Sequence, residues 1–369
     1  MSSKPRVVIV GAGIGGLSAA WHLAPHADVT VIEQGESPLG EASAQNAGMV
    51  RRLVRGAYER ELACRTHDRL SSLPTAAGED WHELAPFRRT GAVVAFQCAD
   101  EAWREAAEAL RRRGVAVAEL PPERVASIAP ALADSDLTHA FHLPDEGVCD
   151  AWSLGMGLLR GAQRNAATLR LGCRVFSLRV ERDRLRGVET SDGPIECDHV
   201  VLAAGAWSAK LAREAGLRRT LTPRARHLFQ STPHALSTNT HPWCWIEDAG
   251  LYLRPEAGGF LMSPCDESDT EVADGPGSRR SPTELQRDEL ARKLARCCPA
   301  LSDLGVRNGW IGLRTFTPDR SPLVGPDPEL DGLAWLAGLG GFGISCALAL
   351  GEDLARTIRE RRREIAAGR

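Results

Sequence analysis

The sequence predicts an α/β fold in which a parallel sheet packs against helices. Three observations near the N-terminus support this class. Val7 to Val10 form an uninterrupted apolar run, as expected for a strand that is covered on both faces. Leu17, Ala20 and Leu23 follow at the spacing of one helix face, and a second apolar run extends from Val29 to Ile32. The order strand, helix, strand is that of a parallel βαβ unit.

Glycines connect the first strand to the first helix. Gly11, Gly13 and Gly16 form the pattern G-x-G-x-x-G, in which the first makes the turn, the second admits a pyrophosphate and the third allows close helix packing. The helix N-terminus offers N–H groups to phosphates. Glu33 ends the second strand, where it can accept hydrogen bonds from ribose hydroxyls. The unit predicts a Rossmann-like domain that binds NAD or FAD; a purely structural glycine turn is the alternative.

Length and composition indicate a globular protein. The chain has 369 residues, 43% of them hydrophobic, which favours two domains with a large core. Its 45 Lys and Arg against 48 Asp and Glu give a formal net charge of -3. We therefore expect no large positive surface potential that would attract nucleic acid or an anionic membrane surface. The C-terminal stretch "RTIRERRREIAAGR" mixes Glu with Arg and is typical of a solvated last helix.

Cysteine and histidine spacing favours neither disulfides nor a metal site. Ten cysteines occur without CxxC pairs, and His227, His234 and His241 lack metal-ligand spacing. The N-terminus enters a strand by Val7 without a signal-peptide pattern, and no apolar run approaches membrane-spanning length. We therefore expect a cytoplasmic protein without a transmembrane segment. Peripheral association with the inner face of the membrane is the alternative.

Later segments predict turns of small residues beside buried strands. The stretch "SPLGEASAQNAGMV" is small and polar. Val200 to Ala203 form a buried strand that ends at Ala204-Gly205-Ala206-Trp207, after a hairpin turned at residues 191–193. Leu333 to Ala337 form another strand, and a glycine-rich segment then opens a helix after Gly343. Such turns let a cofactor lie against the backbone, and the helix N-terminus can stabilise negative charge.

Six stretches, in order, resemble the FAD-dependent amino-acid oxidoreductases of the D-amino acid oxidase superfamily. The layout is most similar to glycine oxidase and the D-amino acid dehydrogenases, and it implies FAD rather than NAD. The resemblance spans nearly the whole chain. The stretches are "VVIVGAGIGGLSAAWHL", "GEASAQNAGMV", "VVLAAGAWS", "LYLRPEAGGFLMSP", "GWIGLRTFTPDRSPLVG" and "LAGLGGFGISCALALGEDLA".

The resemblance implies two discontinuous domains. A Rossmann-like FAD-binding domain would comprise residues 1–85, 145–222 and 305–369. An α+β substrate domain, the cap, would comprise residues 86–144 and 223–304 and would contain an antiparallel sheet. Local patterns agree, because "TGAVVAF" and "GLYLRPEAGGFLMSP" favour strands, whereas "DEAWREAAEALRRRG" and "SPTELQRDELARKLARCCPAL" favour capped amphipathic helices.

The motifs and the resemblance together assign the positions that contact FAD. In the N-terminal unit and the following loop these are Gly11, Gly13, Ile14, Gly16, Glu33, Gln34, Ser43, Gln45, Asn46, Ala47 and Gly48. In the later segments they are Val175, Ala204, Gly205, Trp207, Gly312, Gly340, Gly341, Phe342, Gly343 and Ile344. Relatives of the sarcosine oxidase type attach flavin to a cysteine at the place of Gly312. The resemblance therefore implies non-covalent FAD.

Arg314 and Tyr252 are the candidate catalytic residues. A guanidinium stays charged, its planar fork matches a carboxylate, and leaving it buried without a partner is costly. The resemblance implies that Arg314 clamps the substrate carboxylate over the flavin and that the Tyr252 hydroxyl donates to the same group. The alternative is a salt bridge between Arg314 and Asp319, with a Tyr252 that only packs.

The resemblance implies oxidation of the C–N bond of a D-amino acid, glycine or an N-substituted amino acid by hydride transfer to flavin. The imine product would hydrolyse to a 2-oxo acid and ammonia or an amine, and oxygen, a quinone or another electron carrier would reoxidise the flavin. Two alternatives stay open: oxidation of a 2-hydroxy acid on the same fold, and a flavoprotein subunit of a heteromeric opine- or sarcosine-type dehydrogenase. The late flavin motifs disfavour an NAD-dependent dehydrogenase.

Other charged residues near the motifs are weaker candidates. Arg51 and Arg52 could contact a second substrate acid, but paired arginines usually lie in water. Arg226, on the first strand of the second cap segment, is a candidate of similar weight for contact with a substrate acid. Asp266 and Glu267 could meet a substrate amine or side chain. In relatives that act on D-arginine, an acid in the first cap strand reads the cationic side chain, whereas "FRRTGAVVAF" has none, so we do not expect arginine as the substrate.

Overall fold

The computed structural model describes residues 4–76, 87–98, 100–272, 275 and 281–366. The domain boundary predicted between residues 85 and 86 lies outside these ranges. The helices are α1 (Ile14–Leu23), α2 (Ala57–Ala76), α3 (Glu101–Arg112), α4 (Pro122–Ile128), α5 (Ala151–Arg164), α6 (Ser208–Glu214), α7 (Glu284–Cys297) and α8 (Gly343–Ala366).

The strands form four sheets. In chain order they are β1 (Arg6–Val10), β2 (Asp28–Ile32), β3 (Met49–Val50), β4 (Phe87–Arg89), β5 (Ala92–Phe96), β6 (Ala118–Leu120), β7 (His139–Leu143), β8 (Gly147–Cys149), β9 (Thr168–Arg170), β10 (Val175–Glu181), β11 (Arg184–Thr190), β12 (Gly193–Glu196), β13 (His199–Leu202), β14 (Thr222–Ser231), β15 (Trp243–Ile246), β16 (Leu251–Glu256), β17 (Gly259–Ser263), β18 (Ser268–Asp269), β19 (Val306–Phe316), β20 (Leu323–Pro326) and β21 (Leu333–Ala337).

A six-stranded sheet in the order β20-β21-β13-β1-β2-β9 contains the N-terminal unit. Its strands are parallel except β20, which pairs antiparallel with β21. The predicted strands at the start of the chain, before Ala204 and before Gly338 are all confirmed. Helices α1, α5 and α8 cover one face, because their apolar sides share a buried cluster with β1 and β2. The predicted α/β class is confirmed.

A three-stranded antiparallel sheet, β10-β11-β12, covers the other face together with α6. The predicted hairpin at residues 191–193 is present between β11 and β12. A second hairpin, between β10 and β11, turns at Arg182 and Asp183 and was not predicted from the sequence. Both residues have positive φ, 51° and 57°. Asn-Gly or Asp-Gly is the usual signal for such a turn, and Arg-Asp lacks it.

The second large layer is a nine-stranded sheet in the order β18-β14-β17-β16-β15-β5-β7-β6, with β19 paired to β14. Its pairs are antiparallel except that between β5 and β15, which is parallel, so the expectation of an antiparallel sheet holds except at this one pair. The two strands come from the two separate segments assigned to the cap, and each segment extends its own side with antiparallel neighbours, β7 and β16.

Strand β19 joins this sheet although it lies in the segment 305–369 that the sequence assigns to the FAD-binding domain. It pairs antiparallel with β14 from Thr222 opposite Phe316 to Ser231 opposite Val306. These main-chain hydrogen bonds place Gly312 and Arg314 in the nine-stranded sheet. The division into two domains stays a prediction, and β19 is the strand that departs from it.

A small sheet, β3-β8-β4, contains a buried ion pair at its edge. The Glu146 Oε1 atom accepts hydrogen bonds from the Arg52 backbone N–H at 3.1 Å and from the Arg52 Nε–H at 2.9 Å. Arg52 is 5% exposed and Glu146 1%. The expectation that Arg52 lies in water is therefore wrong, because the carboxylate of Glu146, the residue before β8, pairs with it inside the fold. Burial raises the pKa of the Glu146 carboxyl, and the Arg52 charge opposes this rise.

We expect Glu146→Ala to lower the free energy of unfolding by about 3–5 kcal/mol, because it leaves the Arg52 charge buried without a partner. Glu108→Ala is the control, since it removes exposed ion pairs with Arg111 and Arg112 on α3 and is expected to change stability by about 0.5 kcal/mol or less. Urea unfolding of both variants measures the difference. Equal losses would contradict the assignment of Arg52–Glu146 as an internal anchor.

Candidate functional site

A cleft lies where the carboxyl ends of β1, β2, β13 and β21 face the nine-stranded sheet. This edge of a parallel sheet is the usual place for a ligand in an open α/β fold. The lining residues are drawn from segments 10–15, 32–34, 39–51, 173–176, 203–214, 226–228, 245–252, 312–315 and 336–345.

The turn between β1 and α1 depends on glycine. Gly11 has φ of 103°, and a Cβ there would lie 2.6 Å from the Ala203 carbonyl oxygen. A Cβ on Gly16 would lie 2.0 Å from the Gly11 oxygen, so Gly16 serves close packing of the helix on the turn and does not line the cleft. Gly13 is the N-cap residue and lines the cleft. The N-terminus of α1 therefore opens toward the cleft without a bulky side chain over it.

Two polar side chains hold this turn. The Glu33 carboxylate accepts hydrogen bonds from the backbone N–H groups of Ala12 and Gly35, each at 2.9 Å. Ser43 Oγ accepts one from the Ile14 N–H, also at 2.9 Å. Glu33 and Ser43 line the cleft, and each oxygen keeps further acceptor capacity. Both predicted positions therefore lie at the helix N-terminus, where they also stabilise the loop.

The loop from residue 39 to residue 48 forms one wall. The Asn46 side chain bonds the Ser43 carbonyl at 2.5 Å and the Gly48 N–H at 2.7 Å, which folds the loop on itself. From β16, Arg254 Nε donates to the Ala47 carbonyl at 2.5 Å. Gly312 passes close to this loop, because a Cβ there would lie 2.4 Å from the Gln45 carbonyl oxygen. Any larger residue at 312 would push the loop away from β19.

The opposite wall is formed after β13 and before β10. Ala203 to Trp207, Lys210 and Glu214 line it on one side, and residues 173–176 on the other. Val175 is buried, whereas Phe176 is exposed beside Arg174, whose guanidinium carbon lies 5.7 Å from the ring centroid. Val175 was predicted from the sequence to contact the cofactor, whereas Phe176 was not, because a single exposed aromatic residue in a strand belongs to no motif.

One face of the nine-stranded sheet covers the cleft. Arg226 and Leu228 from β14, Trp245 from β15 and Tyr252 from β16 line it, together with residues 312–315 of β19. Trp245 stands opposite Tyr252 in the register of β15 with β16, and their ring centroids are 5.5 Å apart. Side chains two residues apart in a strand share a face, which is why the even-numbered residues of β14 project together.

Arg314 lies against the glycine-rich segment that precedes α8. A Cβ on Gly341, whose φ is 81°, would lie 2.4 Å from Arg314 Nε, so only glycine leaves room for the guanidinium. The Gly340 N–H donates to the Thr315 carbonyl at 2.9 Å and ties this segment to β19. Burial, and next the charge of Arg226, lower the pKa of the Arg314 guanidinium.

Neither Arg314 nor Tyr252 has a polar partner within the described residues. Asp319 bonds Thr317 and Ser321 instead, so the alternative salt bridge from Arg314 to Asp319 is not formed. The Tyr252 side chain is 1% exposed, and its hydroxyl has no hydrogen-bond partner in the described part of the chain. A buried hydroxyl without a partner is costly, and a ligand oxygen in the cleft would satisfy it.

Two further arginines reach the cleft. Arg226 is 4% exposed and donates from Nη2 to Glu267 at 3.0 Å. Arg51, expected in water, instead lies inside, with its guanidinium carbon 4.0 Å from the Trp245 ring centroid and 5.1 Å from that of Phe342. Burial, and next the charge of Arg314, lower the pKa of Arg51 to about 9. The cleft is therefore more cationic than the sequence indicated.

The predicted cofactor positions lie along the cleft with two exceptions. Gly16 packs behind the turn, and Phe342 packs beneath Arg51 and against the helix cluster. The residues that line the cleft are Gly11, Gly13, Ile14, Glu33, Gln34, Ser43, Gln45, Asn46, Ala47, Gly48, Val175, Ala204, Gly205, Trp207, Gly312, Gly340, Gly341, Gly343 and Ile344. Their contacts with a cofactor stay a prediction.

The weaker acidic candidates face elsewhere. Asp266 accepts from the His227 ring at 2.5 Å, and Glu267 pairs with Arg226 and Arg320. Neither carboxylate lines the cleft, so direct contact with a substrate is not supported.

In the described ranges, no group of three or more His, Cys, Asp or Glu side chains could hold a metal ion. No described helix is long and apolar enough to cross a membrane. All ten cysteines are free thiols.

Residues 6–357 match the family described as FAD dependent oxidoreductase, DAO. The mitochondrial pyruvate dehydrogenase phosphatase regulatory subunit of Mus musculus is 26% identical over 96% of this chain and 41% of its own length. The glycine oxidase of Pseudomonas aeruginosa is 29% identical over 90% of this chain and 88% of its own. The crystal structure of L-proline dehydrogenase from P. horikoshii superposes with a TM-score of 0.85 at 25% identity, covering 98% of this chain and 94% of that one. The chain spans about two fifths of the length of curated relatives such as the regulatory subunit.

We expect Gly341→Ala to weaken binding of a simple carboxylate such as acetate by about tenfold, because the new methyl group displaces the Arg314 guanidinium. Gly258→Ala is the matched control: its φ is 79°, against 81° for Gly341, and an added Cβ there meets no atom within 4 Å. Both variants are expected to lose about 1–2 kcal/mol of stability through backbone strain. Titration calorimetry with acetate and thermal unfolding measure the two effects. Equal acetate affinities in the two variants would refute the clamp geometry.

Proposed function

Because the chain belongs to the DAO family of FAD dependent oxidoreductases, with FAD as its cofactor, we propose that it oxidises the C–N bond of a D-amino acid, glycine or an N-substituted amino acid. The observation that supports this most directly is on one wall of the cleft, where the buried Tyr252 hydroxyl has no hydrogen-bond partner in the described residues and the Arg314 guanidinium forms no ion pair with them. A guanidinium and a hydroxyl that project into one space are suited to a carboxylate.

The cleft fits the cofactor at its other end. The N-terminus of α1, free of a capping side chain at Gly13, would receive the pyrophosphate, with Ser43 beside it. Glu33, at the end of β2, would accept from the ribose hydroxyls. Glycines 338, 340 and 341 and the N-terminus of α8 would lie along the ring system. Gly312 has no side chain that could bond covalently to a flavin, which supports non-covalent FAD.

FAD, when bound, supplies a two-electron acceptor for hydride. In this proposal Arg314 holds the substrate carboxylate through two parallel hydrogen bonds and Tyr252 adds a third. Fixing the carboxylate at three donors orients the α-carbon and restricts its rotation, which is the larger part of the protein's contribution. The substrate amine reacts in its neutral form. The imine that leaves the site hydrolyses to a 2-oxo acid and ammonia or an amine.

Two alternatives share parts of this geometry. A 2-hydroxy acid would use the same carboxylate clamp, and release of ammonia or an amine distinguishes the amino-acid reaction from it. A flavoprotein subunit of a heteromeric dehydrogenase is consistent with relatives that are longer than this chain. The donors of Arg314 and Tyr252, which the described residues leave unsatisfied, favour a chain that binds a substrate itself. The proposal includes oxygen, a quinone or another electron carrier as the electron acceptor. It also includes a cytoplasmic location.

Anaerobic titration of the purified protein tests the reaction. D- and L-amino acids, glycine, sarcosine and 2-hydroxy acids are added one at a time while the visible absorption of the oxidised flavin is followed. We expect one class of amino acid to bleach this absorption, and air then separates an oxidase from a dehydrogenase. Bleaching by 2-hydroxy acids alone would refute C–N oxidation. Retained flavin absorption with every compound would favour a subunit that lacks its partner.

We expect Arg314→Leu to lower kcat/KM by about 100-fold or more while FAD stays bound, because it removes the cation that holds the carboxylate. Arg224→Leu is the matched control: Arg224 stands directly opposite Arg314 in the β14–β19 register but pairs with Asp269 outside the cleft. Steady-state kinetics with the substrate found above, together with the flavin content of each variant, measure the effect. Unchanged KM and kcat in Arg314→Leu would exclude the clamp.

A further inference from the structure

The substrate end of the cleft contains more positive charge than one carboxylate can satisfy. Three arginines, Arg51, Arg226 and Arg314, line it. The proposed α-carboxylate accounts for Arg314 together with Tyr252. Arg51 and Arg226 therefore need a separate explanation, because a guanidinium enclosed by protein is stable only when its donors find acceptors.

Arg226 has donors that the protein does not use. The residue is 4% exposed, and only Nη2 bonds a carboxylate, Glu267. Its Nε and Nη1 atoms are buried without a hydrogen-bond partner in the described part of the chain. Arg226 stands opposite Gly312 in the β14–β19 register, so no side chain from that position lies beside it. Because Arg226 lines the cleft, these unused N–H donors lie at the cleft wall.

The Arg51 guanidinium contacts two aromatic rings, and its N–H groups have no ion-pair partner in the described residues. Its guanidinium carbon lies 4.0 Å from the Trp245 ring centroid and 5.1 Å from that of Phe342. Contact with aromatic faces fixes the plane of a guanidinium while its N–H edges stay available for a planar acceptor. No ion pair joins Arg51 to any acid among the described residues, and its backbone N–H bonds Ser345 Oγ at 3.0 Å. The two aromatic rings thus define the position of the Arg51 guanidinium in the cleft.

The acids near these arginines already have other partners. Glu267 is shared between Arg226 and Arg320, and Asp266 bonds the His227 ring. Glu146 pairs with Arg52 at 2.9 Å, and Glu247 pairs with Arg55 at 3.6 Å. None of the four lines the cleft. The described acids that act on this end of the cleft therefore leave Arg51 without a partner and Arg226 only partly satisfied.

We propose that the substrate is an amino acid with a second carboxylate, carried on its side chain or on its nitrogen substituent, and that Arg51 and Arg226 bind this second carboxylate. The inference rests on the proposed function for the first carboxylate and adds the substrate class. A dicarboxylate supplies acceptors to both sets of donors at once. A monocarboxylic amino acid of the same size leaves Arg51 and the free edge of Arg226 unsatisfied when it displaces water from the cleft.

Binding of unreactive acids to the FAD-loaded protein tests the proposal without depending on catalysis. Succinate is compared with butyrate and glutarate with valerate, so that each pair has the same number of carbons and differs by one carboxylate. Titration calorimetry gives the Kd values. We expect each dicarboxylate to bind at least about tenfold more tightly than its partner. Equal Kd values within both pairs would overturn the proposal.

Three variants locate the effect. Arg51→Gln and Arg226→Gln are each expected to reduce the ratio of the two Kd values toward one. Glu267 keeps its ion pair with Arg320 in the second variant, so the change at 226 leaves no carboxylate unpaired. Arg55→Gln is the control, because Arg55 is exposed, pairs with Asp100 at 3.1 Å and does not line the cleft. An unchanged ratio in both Arg51→Gln and Arg226→Gln, with thermal unfolding showing both folded, would overturn the assignment.

The two proposals fail in different ways. If no amino acid bleaches the flavin but the dicarboxylates still bind tightly in an Arg51-dependent manner, C–N oxidation by this chain alone is wrong and the dianion site stands. If a monocarboxylic amino acid is oxidised and the Kd ratios equal one, the reaction stands and the second carboxylate is wrong. Aspartate, glutamate and N-carboxymethylglycine as reductants then distinguish a side-chain carboxylate from one on the nitrogen.

Discussion

The pairing of β14 with β19 is the interaction on which the site depends. It places Arg226 opposite Gly312 and Arg224 opposite Arg314, so that the strand period of two directs Arg226 and Arg314 to the same face. The absent side chain at Gly312 lets the loop with Gln45 come within contact of β19. The glycine-rich segment before α8 then closes on Arg314 through Gly341. A shift of β19 by one residue against β14 would turn Arg314 away from the face that Arg226 shares.

Some charged side chains inside the fold pair with protein acids, whereas others face the cleft. Arg52 and Glu146 lie deep in the fold and form an ion pair, and the half-buried Arg219 pairs with the buried Asp327 beside the six-stranded sheet. Within the described residues, the guanidinium of Arg314 and the Tyr252 hydroxyl lack such partners, and they face the cleft. Donors without a partner carry a desolvation penalty, and a ligand in the cleft would offset that penalty for these two residues. The position of these donors at the cleft supports a site for anionic groups independently of any relative.

Local patterns explain which elements were predicted. The strands with continuous apolar runs, the capped helix α7 with its Thr283 and Gln286 box, and the glycine turn at Gly11 each depend on neighbours in sequence. The hairpin at Arg182 and Asp183 was missed because its turn residues carry no conformational signal. The parallel contact of β5 with β15 was missed because it joins two distant segments, whose pairing no local pattern encodes.

The sequence by itself determined the α/β class, the βαβ unit, the FAD-type motifs and the presence of a candidate arginine at 314. The α/β class and the βαβ unit follow from periodicity and from glycines that a tight turn requires, both of which are local. The choice of FAD and the role of Arg314 came from the resemblance of six ordered stretches to a known family. Only the tertiary structure decided that Arg51 is inside against Trp245 whereas Arg52 pairs with Glu146, although the two are adjacent in the chain. Their environments come from residues nearly one hundred positions or more away, and the burial of a charge depends on such distant partners rather than on its neighbours in sequence.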